Sequence, residues 1–115
     1  MNKNKDKGSR FERKIRLDLK NKFPFVKTSR EASRLFDNCG IDLVNIPFFI
    51  QCKDVQSKSL NYQKLKNECL TLVKFQFPPD QPQYPYILIH KVARNTIQVT
   101  MDYDLFLKLL NDKVG

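Results

Sequence analysis

A carboxylate, an amide and an ammonium group stand close together in the middle of the chain. Asp42 is followed nine residues later by Gln51, Cys52 and Lys53, with an apolar run on each side of Pro47. β-Branched and aromatic residues dominate both runs, which predicts two strands. A turn at Pro47 puts Asp42 opposite Gln51, and Gln51 and Lys53 share a face because side chains alternate along a strand. Oxygen ligands beside a cation suit a hard divalent metal ion and a phosphate group.

The hydrophobic pattern predicts the elements that position these groups. Helices are expected from Arg10 to Lys22 with Ser9 as N-cap, over residues 57–74, and from a cap at Asp102 to Leu110. Strands are expected at residues 25–28, 41–46, 48–52, 86–90 and 96–100. The polar segment 29–40 and the proline-rich segment 77–85 are expected to be loops. The order α-β-β-β-α-β-β-α predicts an α/β domain with a central mixed sheet of about five strands flanked by helices.

Basic residues are concentrated at the start of the chain. Of the net charge of +9, the first 30 residues carry +8, from 11 Lys and Arg against 3 Asp and Glu. Such a concentration favours a polyanionic partner, most simply nucleic acid. We expect residues 1–7 to be a disordered basic tail, for which a solubilising role is the alternative, and residues 8–115 to form a single domain.

The composition argues against several other classes of protein. No apolar stretch approaches the roughly 18 residues of a membrane span. The three cysteines lack Cys-x-x-Cys spacing and His90 is the only histidine, which argues against a zinc site. An odd number of cysteines fits a reducing compartment, so we expect a cytoplasmic protein.

Glu12, Asp42 and Gln51-x-Lys53, placed on a helix and a pair of strands, resemble the motif of the PD-(D/E)xK nuclease superfamily. Within that superfamily the chain looks most like the archaeal-type Holliday-junction resolvases and their phage relatives. These begin with a basic segment similar to residues 7–13 here, and the resemblance covers roughly residues 7–70. Two positions depart from the family pattern: Ile41 stands where the superfamily name implies proline, and Gln51 where glutamate is usual.

The resemblance implies a restriction-endonuclease-like core and metal-assisted hydrolysis of phosphodiester bonds. Asp42, Gln51 and the backbone carbonyl of Cys52 would hold Mg²⁺, for which Mn²⁺ can substitute, and Glu12 would join them directly or through water. Lys53 would orient the attacking water or stabilise the developing negative charge. No small-molecule cofactor is implied. Glutamine lacks the charge of glutamate, so metal affinity should be lower than in the family pattern.

The substrate implied is branched DNA, most simply a four-way junction, cut by a homodimer in a bacterial or phage-infected cell. Two scissile phosphates related by a two-fold axis suit a two-fold dimer. The candidate DNA-binding side chains are basic or hydroxylic and lie around the motif: Arg10, Arg13, Lys14 and Arg16 on the first helix, Ser29, Arg30, Ser33 and Arg34 in the following segment, and Lys58 at the second helix.

Each candidate residue also has a purely structural interpretation. Glu12 follows Ser9 by three residues and could complete a capping box at a helix start. Asp42 could be a turn carboxylate, and Lys53 a solvated strand end. At the level of function, the alternatives are another PD-(D/E)xK nuclease of restriction-like or nicking type, and a catalytically inactive DNA-binding module of the same fold.

Overall fold

Five strands form one mixed sheet whose spatial order follows the chain order. The computed structural model of the chain describes residues 3–54, 60–93 and 96–114. The strands are β1 (Lys27–Thr28), β2 (Leu43–Val44), β3 (Phe49–Lys53), β4 (Tyr86–Ala93) and β5 (Thr96–Thr100). The helices are α1 (Lys3–Leu19), α2 (Ser29–Ala32), α3 (Arg34–Asn38), α4 (Tyr62–Gln76) and α5 (Tyr103–Val114). The predicted α/β architecture with a five-stranded mixed sheet is therefore confirmed.

The sheet contains antiparallel pairs and one parallel pair. β1, β2 and β3 are successive antiparallel neighbours, and β5 is antiparallel to β4. β3 and β4 are parallel, with Gln51 paired to Leu88. A parallel pair needs a long crossover connection, which α4 provides. None of the described helices is long and apolar enough to cross a membrane.

Apolar side chains leave the central strands in alternation and form a core on each face of the sheet. On one face, Ile50 and Ile87 pack with Phe11 and Ile15 of α1. On the other face, Phe49 and Leu88 pack with residues of α4, among them Cys69 and Val73. β3 is buried on both faces because helices cover both sides of it.

The first helix begins earlier than its apolar spacing predicted. α1 runs from Lys3 to Leu19 instead of from Arg10 to Lys22, so residues 3–7 of the predicted tail are its opening turns. Residues 1–2 lie outside the described residues. Because Ser9 lies well inside this helix, it is not an N-cap. The capping-box interpretation of Glu12 is therefore also wrong.

The prediction of a loop over residues 29–40 was wrong, because the segment holds the two short helices α2 and α3. Ser33 caps α3 by accepting a hydrogen bond from the Phe36 amide at 3.3 Å. At the other end the amides of Gly40 and Ile41 donate to the carbonyls of Asp37 and Phe36, which is a Schellman motif. Helices of four and five residues are too short for an apolar period to be visible in the sequence.

Gly40 combines two requirements that only glycine meets. Its φ is +83°, and a Cβ placed there would come within 3.0 Å of Gln51 Nε2. We predict that Gly40→Ala destabilises the fold by about 1–2 kcal/mol, the cost of a left-handed L-residue, and displaces the Gln51 amide. Chemical denaturation measures the first effect.

Gly8 supplies the matched control for this substitution. It lies inside α1, where a Cβ would meet only Arg30 Nη2 at an ordinary 3.9 Å. Gly8→Ala should stabilise the protein by about 0.5–1 kcal/mol, because alanine loses less backbone entropy than glycine in a helix. A Gly40→Ala protein as stable as wild type would contradict the strain assigned to Gly40.

Candidate functional site

A cavity of about 460 Å³ lies where β2 begins and β3 ends. Every residue predicted for catalysis or metal binding lines it: Glu12, Asp42, Gln51, Cys52 and Lys53. A cavity of about 480 Å³ beside the β2–β3 hairpin is lined mainly by apolar residues and has no acidic or basic side chain. The residues predicted for catalysis and metal binding therefore lie in the first of these cavities, which we call the acidic cavity.

Asp42 is held in place by both its backbone and its side chain. Its amide donates to the Ile50 carbonyl at 2.8 Å, and its carbonyl accepts from the Ser29 amide at 2.8 Å. Its carboxylate oxygen Oδ2 accepts from the backbone amide of Cys52 at 2.7 Å. The strand register pairs Leu43 with Ile50, so the next position along places Asp42 beside Gln51, as the hairpin predicted.

Burial and a second carboxylate make the charge on Asp42 costly. The pKa of Asp42 is raised to about 8, chiefly by desolvation. The nearby charge and hydrogen bonding of Glu12 contribute to this rise, and the Cys52 amide and Lys53 oppose it. A proton on Asp42 removes the repulsion between its charge and the carboxylate of Glu12. A divalent cation would relieve the same repulsion that the proton relieves.

Glu12 enters the cavity from α1 and is almost completely buried, at 4% exposure. Its Oε2 accepts a hydrogen bond from Arg30 Nε at 2.8 Å. This hydrogen bond raises the pKa of the Arg30 guanidinium above its usual value, so the pair is ionic. Arg30, predicted only as a DNA contact, thus also positions a carboxylate of the site.

Gln51 is fixed by a partner that sequence analysis missed. The Tyr86 hydroxyl donates to Gln51 Oε1 at 2.5 Å, and both residues are buried. Burial raises the pKa of Tyr86 well above its usual value, which keeps the hydroxyl protonated as a donor. An amide oxygen has two lone pairs, so Gln51 keeps one for a further ligand.

Two carboxylates besides Glu12 and Asp42 line the acidic cavity and were also missed. Asp37 accepts a hydrogen bond from Ser29 Oγ at 3.4 Å. Asp54 follows β3 directly and lies 3.7 Å from Lys91 Nζ. Asp37 was missed because it lies in the polar segment that was predicted to be a loop.

The donor set fits a hard metal ion, although it is not rich in charge. Among the described residues, no three His, Cys, Asp or Glu side chains converge as a metal site. The available oxygens are the carboxylates of Glu12 and Asp42, the Gln51 amide and the Cys52 carbonyl. The Cys52 thiol takes no part, because burial raises its pKa well above the usual value and it packs in the core.

The predicted DNA-binding residues fall into separate groups. Arg13, Arg16 and Arg30 line a cavity of about 420 Å³ that shares Glu12 and Arg30 with the acidic cavity. Arg10 and Lys14 line another, of about 400 Å³, which shares Asp54 with it. Basic cavities therefore flank the acidic cavity on both sides of α1.

The remaining candidates do not share this arrangement. Ser29 is fully buried and hydrogen-bonded to Asp37, so the expectation of a surface contact there was wrong. The Ser33 hydroxyl serves as the cap of α3. Arg34 is exposed at the start of α3, outside the acidic cavity and both basic cavities. Lys58 lies outside the described residues.

Comparisons with protein-family models, curated proteins and solved structures give no match to this chain.

The raised pKa of Asp42 predicts a pH-dependent stability of the metal-free protein. An ordinary aspartate has a pKa near 3.9 when unfolded, against about 8 in the fold. The folded protein therefore holds up to one extra proton between these values. Its free energy of unfolding should fall as pH rises from about 4 to about 8, by at most ~1.4 kcal/mol per pH unit.

Comparison with Asp42→Asn isolates the titration of Asp42 together with its interaction with Glu12, because the amide does not titrate and more distant groups contribute equally to both proteins. The difference between the two free energies of unfolding, measured by denaturation in EDTA across that range, should carry the predicted slope. A difference that is independent of pH would show that Asp42 is not protonated in the fold.

Proposed function

We propose that the protein is a metal-dependent DNA endonuclease that hydrolyses phosphodiester bonds at branched structures. The observation that carries this proposal is the convergence of Glu12, Asp42, Gln51 and Lys53 on one cavity. Glu12 comes from α1, Asp42 immediately precedes β2, and Gln51 and Lys53 lie on β3. A buried pair of carboxylates with a lysine beside it is costly to maintain, so it favours a catalytic role over a purely structural one.

The contacts of these residues suggest a separate role for each of them. Glu12, Asp42, the Gln51 amide and the Cys52 carbonyl would hold Mg²⁺ or Mn²⁺, which would polarise the phosphoryl oxygen and lower the pKa of a bound water. Tyr86 orients the Gln51 amide through its hydrogen bond to Oε1. Lys53, on the same strand face as Gln51, supplies positive charge where negative charge develops on the phosphoryl oxygens.

Basic cavities on both sides of the acidic cavity support DNA as the substrate. A DNA backbone that crosses α1 would meet basic side chains on both sides of the helix. On one side these are Arg13, Arg16 and Arg30. On the other side they are Arg10, Lys14 and Lys91. Phosphate contacts of this kind position a duplex without reading its bases. We therefore expect preference to follow DNA shape more than sequence.

We also propose that the domain has a restriction-endonuclease-like core and acts as a resolvase. An antiparallel meander of β1, β2 and β3, followed by α4 and a strand parallel to β3, agrees with the core that the sequence resemblance implies. A four-way junction offers two symmetric cut sites, so we propose a homodimer that acts on junctions. Such a substrate would place the protein in the cytoplasm of a bacterial or phage-infected cell.

A catalytically inactive DNA-binding module is the second candidate, and the donor set is the observation that favours it. Gln51 replaces a charged ligand by a neutral one, and only two of the expected ligands are carboxylates. Such a module would bind DNA through the basic cavities and cut nothing. A nuclease of restriction-like or nicking type would share the site and differ only in the preferred DNA structure.

A cleavage assay with Mg²⁺ on four-way, flap, single-stranded and duplex DNA separates these possibilities. We predict cutting of branched DNA by wild type and a loss of at least about 1000-fold in Asp42→Asn, because several kcal/mol of charge stabilisation at the metal site disappear. DNA binding in EDTA should change little, because the basic cavities are untouched.

Asp80→Asn provides the control, since it removes an equal charge from an exposed position outside the acidic cavity. It should cut as wild type does. Cleavage by Asp42→Asn at the wild-type rate would reject the metal site, and binding without any cleavage by wild type would favour the inactive module.

Gln51→Glu tests whether the amide stands in for a carboxylate. The added charge should tighten Mg²⁺ binding by about tenfold, ~1.4 kcal/mol, and leave cleavage equal or faster. Without metal the variant should be less stable than wild type at neutral pH, because a further carboxylate joins Glu12 and Asp42. Calorimetric titration with Mg²⁺ and denaturation in EDTA measure the two effects.

Gln51→Met is the matched variant, because it keeps the side-chain length and removes the amide oxygen. It should weaken Mg²⁺ binding where Gln51→Glu strengthens it. If Gln51→Glu instead loses most of its Mg²⁺-dependent cleavage, the glutamine has a role of its own and does not replace glutamate.

A further inference from the structure

The cavity beside the acidic cavity has the composition of an anion site. It lies between α1 and the β1–α2 segment, and Arg13, Arg16 and Arg30 line it. Two carboxylates, Glu12 and Glu31, also line it, but Glu12 is already bound to Arg30 Nε. Three guanidinium groups against two carboxylates leave one net positive charge in this cavity, which we call the arginine cleft.

Arg16 shows that the cleft is incomplete as it stands. Its Nε is buried and finds no hydrogen-bond acceptor among the described residues. Buried N–H groups are normally paired, so an unpaired donor on an arginine that lines this cleft favours an acceptor that the described residues do not supply. A phosphate is the acceptor that planar guanidinium groups match best, because it can take several charge-assisted hydrogen bonds at once.

Arg30 ties the cleft to the acidic cavity. Its Nε donates to Glu12, and its Nη groups, for which the described residues show no hydrogen bond, can donate to an anion. Glu12 and Arg30 line both cavities. An anion held by Arg30 would therefore sit at a fixed position relative to the carboxylates.

We propose that the arginine cleft binds the phosphodiester that flanks the scissile one on one side of the cut. This assignment rests on the proposed function for the position of the cut. The flanking phosphate supplies the acceptor that Arg16 lacks and engages the free side of Arg30. Its role is positional: it sets which linkage of the strand reaches Asp42 and Lys53.

The test pairs a change in the DNA with a change in the protein. One phosphate at a time is made neutral as a methylphosphonate, on either side of the cut, and the cleavage rate is measured for wild type, Arg16→Ala and Arg13→Ala. At one flanking position the wild-type rate should fall about tenfold, the scale of a charged hydrogen bond. The arginine variants should already be about tenfold slower on unmodified DNA, and should show little further loss at that position.

Lys74→Ala on α4 is the control, because it removes an exposed cation from outside the cleft. It should keep the full wild-type sensitivity to the neutral linkage. Arg16 is half-buried, so the exposed Arg13 provides a second variant whose fold does not depend on core packing. If no position shows a loss that either arginine variant removes, the cleft does not bind the flanking phosphate.

Binding of the same DNA set in EDTA separates this inference from the proposed function. If no DNA is cut but one neutral linkage weakens binding for wild type and not for the arginine variants, the nuclease proposal fails and the phosphate site stands. If branched DNA is cut and no linkage shows this coupling in cleavage or binding, the nuclease proposal stands and the phosphate site is rejected.

Discussion

The hydrogen bond from the Cys52 amide to the Asp42 carboxylate joins the sheet to the site. It places a side-chain oxygen between two strands, where backbone groups normally pair, and so buries a carboxylate at the start of β2. The Ile50 carbonyl and the Ser29 amide hold the same residue through its backbone. Any movement of β2 against β3 would therefore move the carboxylate, and the stability of the sheet determines the geometry of the site.

The neighbouring groups compensate the cost of this burial with opposite charge. Lys53 opposes the rise in the Asp42 pKa, and Arg30 neutralises Glu12. Gln51 adds an oxygen without adding a third buried charge, and Tyr86 satisfies it. A neutral residue at position 51 is thus consistent with a site whose two carboxylates already repel each other.

Local sequence was sufficient to predict the centre of the site. Alternation along the hairpin predicted that Asp42, Gln51 and Lys53 lie together, whereas Glu12 was added by the resemblance to a nuclease motif and not by the helix pattern. All four line the acidic cavity. The contacts of Tyr86 and Arg30 were not predictable in this way. Tyr86 reaches Gln51 through a parallel pairing that α4 bridges, and pairings at long sequence separation leave no local pattern.

The segment between β1 and β2 shows a different limit of sequence analysis. Its helices are too short for a period, yet Ser33 as cap and Gly40 at the left-handed position after α3 mark both ends of that helix. Ser29 was predicted as a candidate DNA contact because it lies in a polar segment interpreted as a loop. In the fold it is buried beneath Asp42, where its backbone amide and hydroxyl are both used.

The proposed divalent metal site lies between Glu12, Asp42, Gln51 and the Cys52 carbonyl. Titration with paramagnetic Mn²⁺, followed by NMR, tests it directly because Mn²⁺ broadens the signals of nearby backbone amides. A metal ion in this site should cause broadening centred on residues 40–42 and 51–53 that decreases with distance from them, and Asp42→Asn should lose this pattern. Broadening centred elsewhere, or an unchanged pattern in Asp42→Asn, would contradict it.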